Sequence, residues 1–157
     1  MATVDETSAL LAKALELGLS GAVHCESIPL EDLAAMYNGI GPESIHVKWL
    51  SEATCKKISE KVRATLSKKL ATYAAATLIH DVRFAESDGT TRGFNYANDE
   101  LEANNLIIAD AKYAWYNPLR IFARRVGVKV ADVCRVVGWS AWIDAYKAKA
   151  KKGISLE

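Results

Sequence analysis

A chain of 157 residues, half of them hydrophobic and a quarter charged (50% and 25%), has ordinary globular composition and suffices for one domain with a real core. The three cysteines, Cys25, Cys55 and Cys134, form no CxxC pair and no zinc-spaced cluster, which excludes a disulfide framework or zinc module and points to a reduced, intracellular setting. The formal charge of +1 hides an asymmetry, −6 over residues 1–45 and +6 over residues 118–157. That imbalance fits either a C-terminal part drawn to nucleic acid or anionic membrane, or two ends that attract each other.

The elements follow in chain order. Val4 to Leu19 carries Leu10, Leu11, Ala14, Leu15 and Leu17 at helical spacing, with Gly18 and Gly21 as terminators. Ser27 suits an N-cap and Pro29 a first turn, so a second short helix is expected to run towards Met36. The run Tyr37-Asn38-Gly39-Ile40-Gly41-Pro42 is a loop. Ser44 to Leu66 is helical by the stripe Val47, Leu50, Ile58, Val62 and Leu66. A helix from about Leu70 to Ala85 contains His80-Asp81 and ends before the turn Ser87–Thr91. The next runs from about Gly93 to Tyr113 with Tyr96, Ala97, Leu101, Leu106, Ile107 and Ala109 inward. Asn117-Pro118 starts a helix expected to end near Gly127, and a last one spans Val130 to Lys149, broken or capped near Gly138. Trp139, Trp142 and Tyr146 share one of its faces, and the four tryptophans read as packing anchors. Val126–Val130 is the single, short candidate strand. The expected fold is all-α. No apolar run is long enough to span a bilayer, and the N-terminus lacks a signal-peptide pattern.

Chemistry concentrates on Ala74–Phe84, where His80 and Asp81 stand inside an apolar helix. A buried carboxylate needs a partner, a metal or a wet cleft, and neutral imidazole serves as a base or a ligand. The Tyr37–Pro42 loop can turn backbone carbonyls to a cation, because glycine tolerates the required backbone angles. Three carbonyls, one carboxylate and water would satisfy calcium. The turn at Ser87–Thr91 makes the next helix antiparallel, returning Asn98 or Asp99 alongside His80.

In order, Tyr37-Asn38-Gly39-Ile40-Gly41, His80-Asp81-Val82-Arg83-Phe84 and Tyr96-Ala97-Asn98-Asp99-Glu100-Leu101 resemble the phospholipase A2 superfamily. The resemblance is to its cysteine-poor forms in parvovirus capsid proteins and small phage or prophage proteins, and it covers about residues 36–105. It implies calcium-assisted hydrolysis of a phospholipid ester, with His80 as general base and Asn98 in the orienting position. The carbonyls of Tyr37, Gly39 and Gly41 and the carboxylate of Asp81 would hold Ca²⁺, and Gly39 would donate to the oxyanion. Two positions depart from the pattern. Asn98 stands where the family has aspartate, and Phe84 where it has tyrosine, a combination that implies weakened catalysis.

The expectation is therefore a single all-α domain, residues 1–157, with a phospholipase A2-like helix pair at 36–105 and a basic helical extension at 118–152. Its partners would be phospholipid or a membrane surface, inside a cell or on a virion. The alternatives are a non-catalytic virion-associated or protein-binding module that keeps the fold, and a basic helical nucleic-acid binder.

Overall fold

The structure, a computed structural model, describes residues 3–37 and 70–154. Gly39, Gly41, His46, Trp49, Cys55 and the expected helix at 44–66 lie outside the described residues. Seven α-helices make up the described chain: α1 Val4–Glu16, α2 Ala22–Glu26, α3 Leu30–Met36, α4 Ala74–Ala85, α5 Thr91–Lys112, α6 Pro118–Val137 and α7 Trp139–Ile154. A 3₁₀ turn, Ala71–Tyr73, leads into α4. No strand occurs among the described residues.

The small residues and uninterrupted helix formers of α4 make it the centre of the fold. Ala75, Ala76, Leu78, Ile79 and Val82 are each 4% exposed or less. The three N-terminal helices cover one side of α4, and α5 and α7 cover others. α1 opens with a reciprocal cap, Thr3 Oγ1 accepting from Glu6 N (3.1 Å) and Glu6 Oε2 accepting from Thr3 N (2.9 Å). It buries Leu11 and Ala14.

α5 starts where Asp88 and Thr90 stop the turn: Asp88 Oδ1 accepts from Thr90 N (2.8 Å) and Thr90 Oγ1 from Gly93 N (3.0 Å). It runs back antiparallel to α4, so Phe94 meets Phe84 and Asn98 meets His80. Its buried face differs from expectation. Ala97, Leu101 and Ala109 are buried as expected, but Tyr96 is 55% and Ile107 38% exposed. Asn98, Glu100, Asn104 and Asn105 lie inside instead.

α6 returns antiparallel to α5. It runs through Gly127 to Val137, which replaces both the expected stop at Gly127 and the candidate strand with continuous helix. Gly127 marks a close approach: a Cβ there would sit 2.9 Å from Asn105 Cβ. Tyr73 OH donates to Ala123 O (2.6 Å) and Asn105 Nδ2 to Gly127 O (2.9 Å), fastening α6 to the core.

Gly138 separates α6 from α7, at the expected break. Trp142 fills the space between Phe84 and Phe94 and donates from Nε1 to Thr90 O at 3.1 Å. Trp139 packs edge-on against Phe94, whereas Trp115 is 81% exposed and anchors nothing in the core. A further difference concerns Ser27. It closes α2, its hydroxyl donating to His24 O (2.7 Å), and α3 begins one residue after Pro29. None of the described ion pairs joins an acid of α1–α3 to a base of α6 or α7.

Candidate functional site

His80 and Asn98 face each other across the α4–α5 hairpin, both buried. Asn98 Nδ2 donates to Phe94 O one turn earlier (2.7 Å), and this turns its Oδ1 towards His80 Nε2 at 3.3 Å. An amide oxygen only accepts, so the neutral imidazole carries its hydrogen on Nε2. Nδ1, the nitrogen that holds the lone pair whenever the ring is neutral, lies 4.0 Å from Asp81 Oδ1. Asp99, the other candidate, points elsewhere and accepts from Arg135 Nη2 at 2.7 Å.

The imidazole face packs on Phe84, ring centres 4.3 Å apart. Phe84 in turn meets Phe94 and Trp142, so the position where a tyrosine would offer a hydroxyl is part of an aromatic cluster. Tyr37, half-buried, closes α3, which packs against α4. Of the six candidate positions, then, His80, Asp81 and Asn98 come together, Tyr37 ends a helix packed on the same element, and Gly39 and Gly41 lie outside the described residues. Among the described residues no three His, Cys, Asp or Glu side chains gather to hold a metal ion.

A second polar centre, which no sequence motif marks, lies one turn away. Arg83 Nε and Nη2 reach Glu100 Oε2 and Oε1 (2.8 and 3.2 Å), Ser20 Oγ donates to Oε1 (2.7 Å), and Tyr96 OH donates to the same oxygen (3.3 Å). Burial by itself would raise the Glu100 carboxyl. The hydrogen bonds from Arg83 and Ser20 outweigh it and leave Glu100 below the usual carboxylate range. Arg83 is held above its usual value chiefly by the same bond. Asn104 clamps the neighbouring backbone, accepting from Ser20 N (2.9 Å) and donating to Ser20 O (3.0 Å). Gly21 completes the approach: at φ +83° it takes the left-handed conformation, and a Cβ there would lie 2.7 Å from Ile79 and 3.2 Å from Glu100 Oε1. The available signal was Glu100 itself, a charge three residues from Ala97 and next to Leu101 on an inward face, which demands a buried partner.

A cleft of about 160 Å³ opens beside this centre, lined by Arg83, Glu86, Asp88, Gly93, Tyr96, Ala97 and Trp142. His80, Asp81 and Asn98 do not line it. Burial pushes the thiols of Cys25 and Cys134 up to about 11, so neither is a nucleophile at neutral pH. His24 is exposed and lies 2.8 Å from Glu86 Oε1. No helix among the described residues is long and apolar enough to cross a membrane. Comparison with family models, curated proteins and solved structures finds no match to this chain.

Proposed function

We propose that the chain is a phospholipase A2-like protein that binds calcium and phospholipid and hydrolyses the ester slowly. One observation carries this reading. Asn98 fixes the tautomer of His80 so that an unprotonated Nδ1 stands beside the Asp81 carboxylate, the polarity a general base for water requires. In this reading His80 takes the proton of the attacking water at Nδ1, and Asn98 holds the ring through Nε2. An amide gives no charge to an imidazolium, so turnover is low; in a serine-protease triad the equivalent loss is worth about four decades.

The donor set suits a hard cation only if backbone oxygen supplements it. Calcium takes six to eight oxygen ligands, and Asp81 provides a carboxylate beside the base. The carbonyls of Tyr37, Gly39 and Gly41 are the remaining proposed ligands. Calcium, when bound, supplies positive charge against the developing oxyanion.

Calorimetric titration with calcium tests the reading directly. It predicts binding in the micromolar to millimolar range that Asp81→Asn abolishes. Ester hydrolysis on mixed phospholipid micelles should be lost in His80→Gln and rise about tenfold or more in Asn98→Asp, since a carboxylate supports the imidazolium. Absence of binding at several millimolar calcium sinks it.

A second reading, a non-catalytic interaction module, is favoured by a specific feature. His80 is 7% exposed with its ring on Phe84, as a core histidine would be. It predicts no calcium binding and no hydrolysis by any of these variants.

A further inference from the structure

The outer face of α6 carries a pattern whose two ends the fold leaves exposed, while Val126 at its middle is partly buried along the edge of the core. Leu119, Phe122, Val126, Lys129, Val133 and Val136 follow one another at alternating steps of three and four residues, the spacing of a coiled-coil seam. The inward face of the same helix is set by Ala123, Gly127 and Ala131, with Val126, Val130 and Cys134 partly buried beside them, so it is Leu119, Phe122, Val133 and Val136 that point away from the core. Leu119, Phe122, Val133 and Val136 are 55, 66, 58 and 81% exposed.

We propose that α6 is the interface between two copies of this chain, packed antiparallel about a two-fold axis. The proposal is independent of the ester-hydrolysis reading. Its support is that the sequence is self-complementary in that one arrangement. With Val126 opposite the partner's Lys129, Leu119 falls opposite the partner's Val136 and Phe122 opposite the partner's Val133, all in one register. In the same register Arg125, on the flank of the seam, faces the partner's Asp132, and two-fold symmetry makes this contact twice.

The groups around this contact allow it. Arg125 is exposed and belongs to none of the described ion pairs. Asp132 accepts from Arg135 (3.2 Å) and lies 3.5 Å from Lys129, but Arg135 is also held by Asp99 and Glu102, so Asp132 keeps capacity for another donor. A parallel in-register pair would stack Lys129 on the partner's Lys129, which disfavours that alternative.

Size suits a weak, concentration-dependent dimer. Phe122, at 66% exposure, offers roughly 100–160 Å² per copy at 150–250 Å² a ring, and the exposed Trp115 and Tyr116 stand in the turn just before α6. With Leu119, Val133, Val136 and Val137 the face reaches the size of a small, weak interface, below the roughly 800 Å² per partner of a standard one. An anionic membrane is the competing occupant of an apolar and basic helix face. It accounts for the apolar stripe, but gives no reason for Asp132 to stand opposite Arg125.

Sedimentation equilibrium of the full chain tests the proposal. A dimer with a dissociation constant of about 1–100 µM is expected. Phe122→Glu and Val133→Glu, both on exposed sites, should raise that constant at least about tenfold with helicity unchanged by circular dichroism. The discriminating arm is a charge exchange. Arg125→Asp alone and Asp132→Arg alone should each weaken self-association, and an equimolar mixture of the two chains should restore it. A fully helical wild-type chain that stays monomeric at about 200 µM overturns the proposal. So does a mixture that fails to recover the dimer. Vesicles of phosphatidylglycerol and phosphatidylcholine provide the last arm: binding lost in Phe122→Glu, by a chain that is monomeric without lipid, assigns the face to membrane instead.

Discussion

Glu100 keeps its charge inside the protein because three side chains and a close-packed glycine are built around it. Removing the charge from one partner alone leaves the other uncompensated. Glu100→Gln should therefore destabilise the fold by about 2–4 kcal/mol in urea titration, near the low end for a broken buried pair because Arg83 retains some solvent. Replacing Arg83 and Glu100 together by Met and Leu should cost less than the sum of the two single changes, since no orphan charge remains. A coupling of zero in that double-mutant cycle would show that the pair does not act as a unit. The His80–Asn98 contact is of a different kind. Asn98 carries no charge, so the contact orients the imidazole ring and adds no charge stabilisation.

At the scale of elements, the decisive contact is between α5 and α6. Gly127 sits against Asn105 with no room for a methyl group, so Gly127→Ala should destabilise by about 1–3 kcal/mol through overpacking, although alanine is the better helix former. An unchanged or increased thermal midpoint would contradict this. The same glycine shows what could be read from the chain and what could not. Helical periodicity, the Thr90 turn, the Asn117-Pro118 start and the antiparallel return of Asn98 to His80 are all local features, and they were legible. A glycine inside a helix looks locally like a stop, and only the neighbouring helix explains why it is tolerated at Gly127. The polar half of α5 was hidden for the same reason. Asn104 and Asn105 look like a solvated face until Ser20 and Gly127 arrive from distant parts of the chain, and Glu100, though set on an inward face, does not by itself name Arg83 and Ser20 as its partners. Ser27 misled in the other direction, because a residue that caps helix starts also closes helix ends.

For the whole molecule, the depressed carboxylates set the response to acid. Glu100 lies below its usual value of 4.5, and Asp110 is lowered to about 2 from 3.8 by hydrogen bonds from Arg120 and Arg124. A carboxyl lowered by folding contributes stability that is complete above its unfolded value and is lost as pH falls through its folded one. Denaturant midpoints should hold from pH 7 down to about 5 and fall below about 4.5, with Glu100→Gln showing a shallower decline. Asp110 lies nearer the surface than Glu100, its side chain 33% exposed against 3%, so its share should be the smaller and should diminish further in salt. The separation of charge has a consequence at the bench. A protein of formal charge +1 would ordinarily pass an anion exchanger, yet the exposed acids Asp5, Glu16, Glu26, Glu31 and Asp32 sit on helices apart from the α6–α7 bases. Near neutral pH and low ionic strength the same preparation should be retained on both positive and negative resins. Elution from each should come at modest salt, about 0.15 M, where the screening length has shrunk to about 8 Å and each resin loses its hold on one end of the molecule.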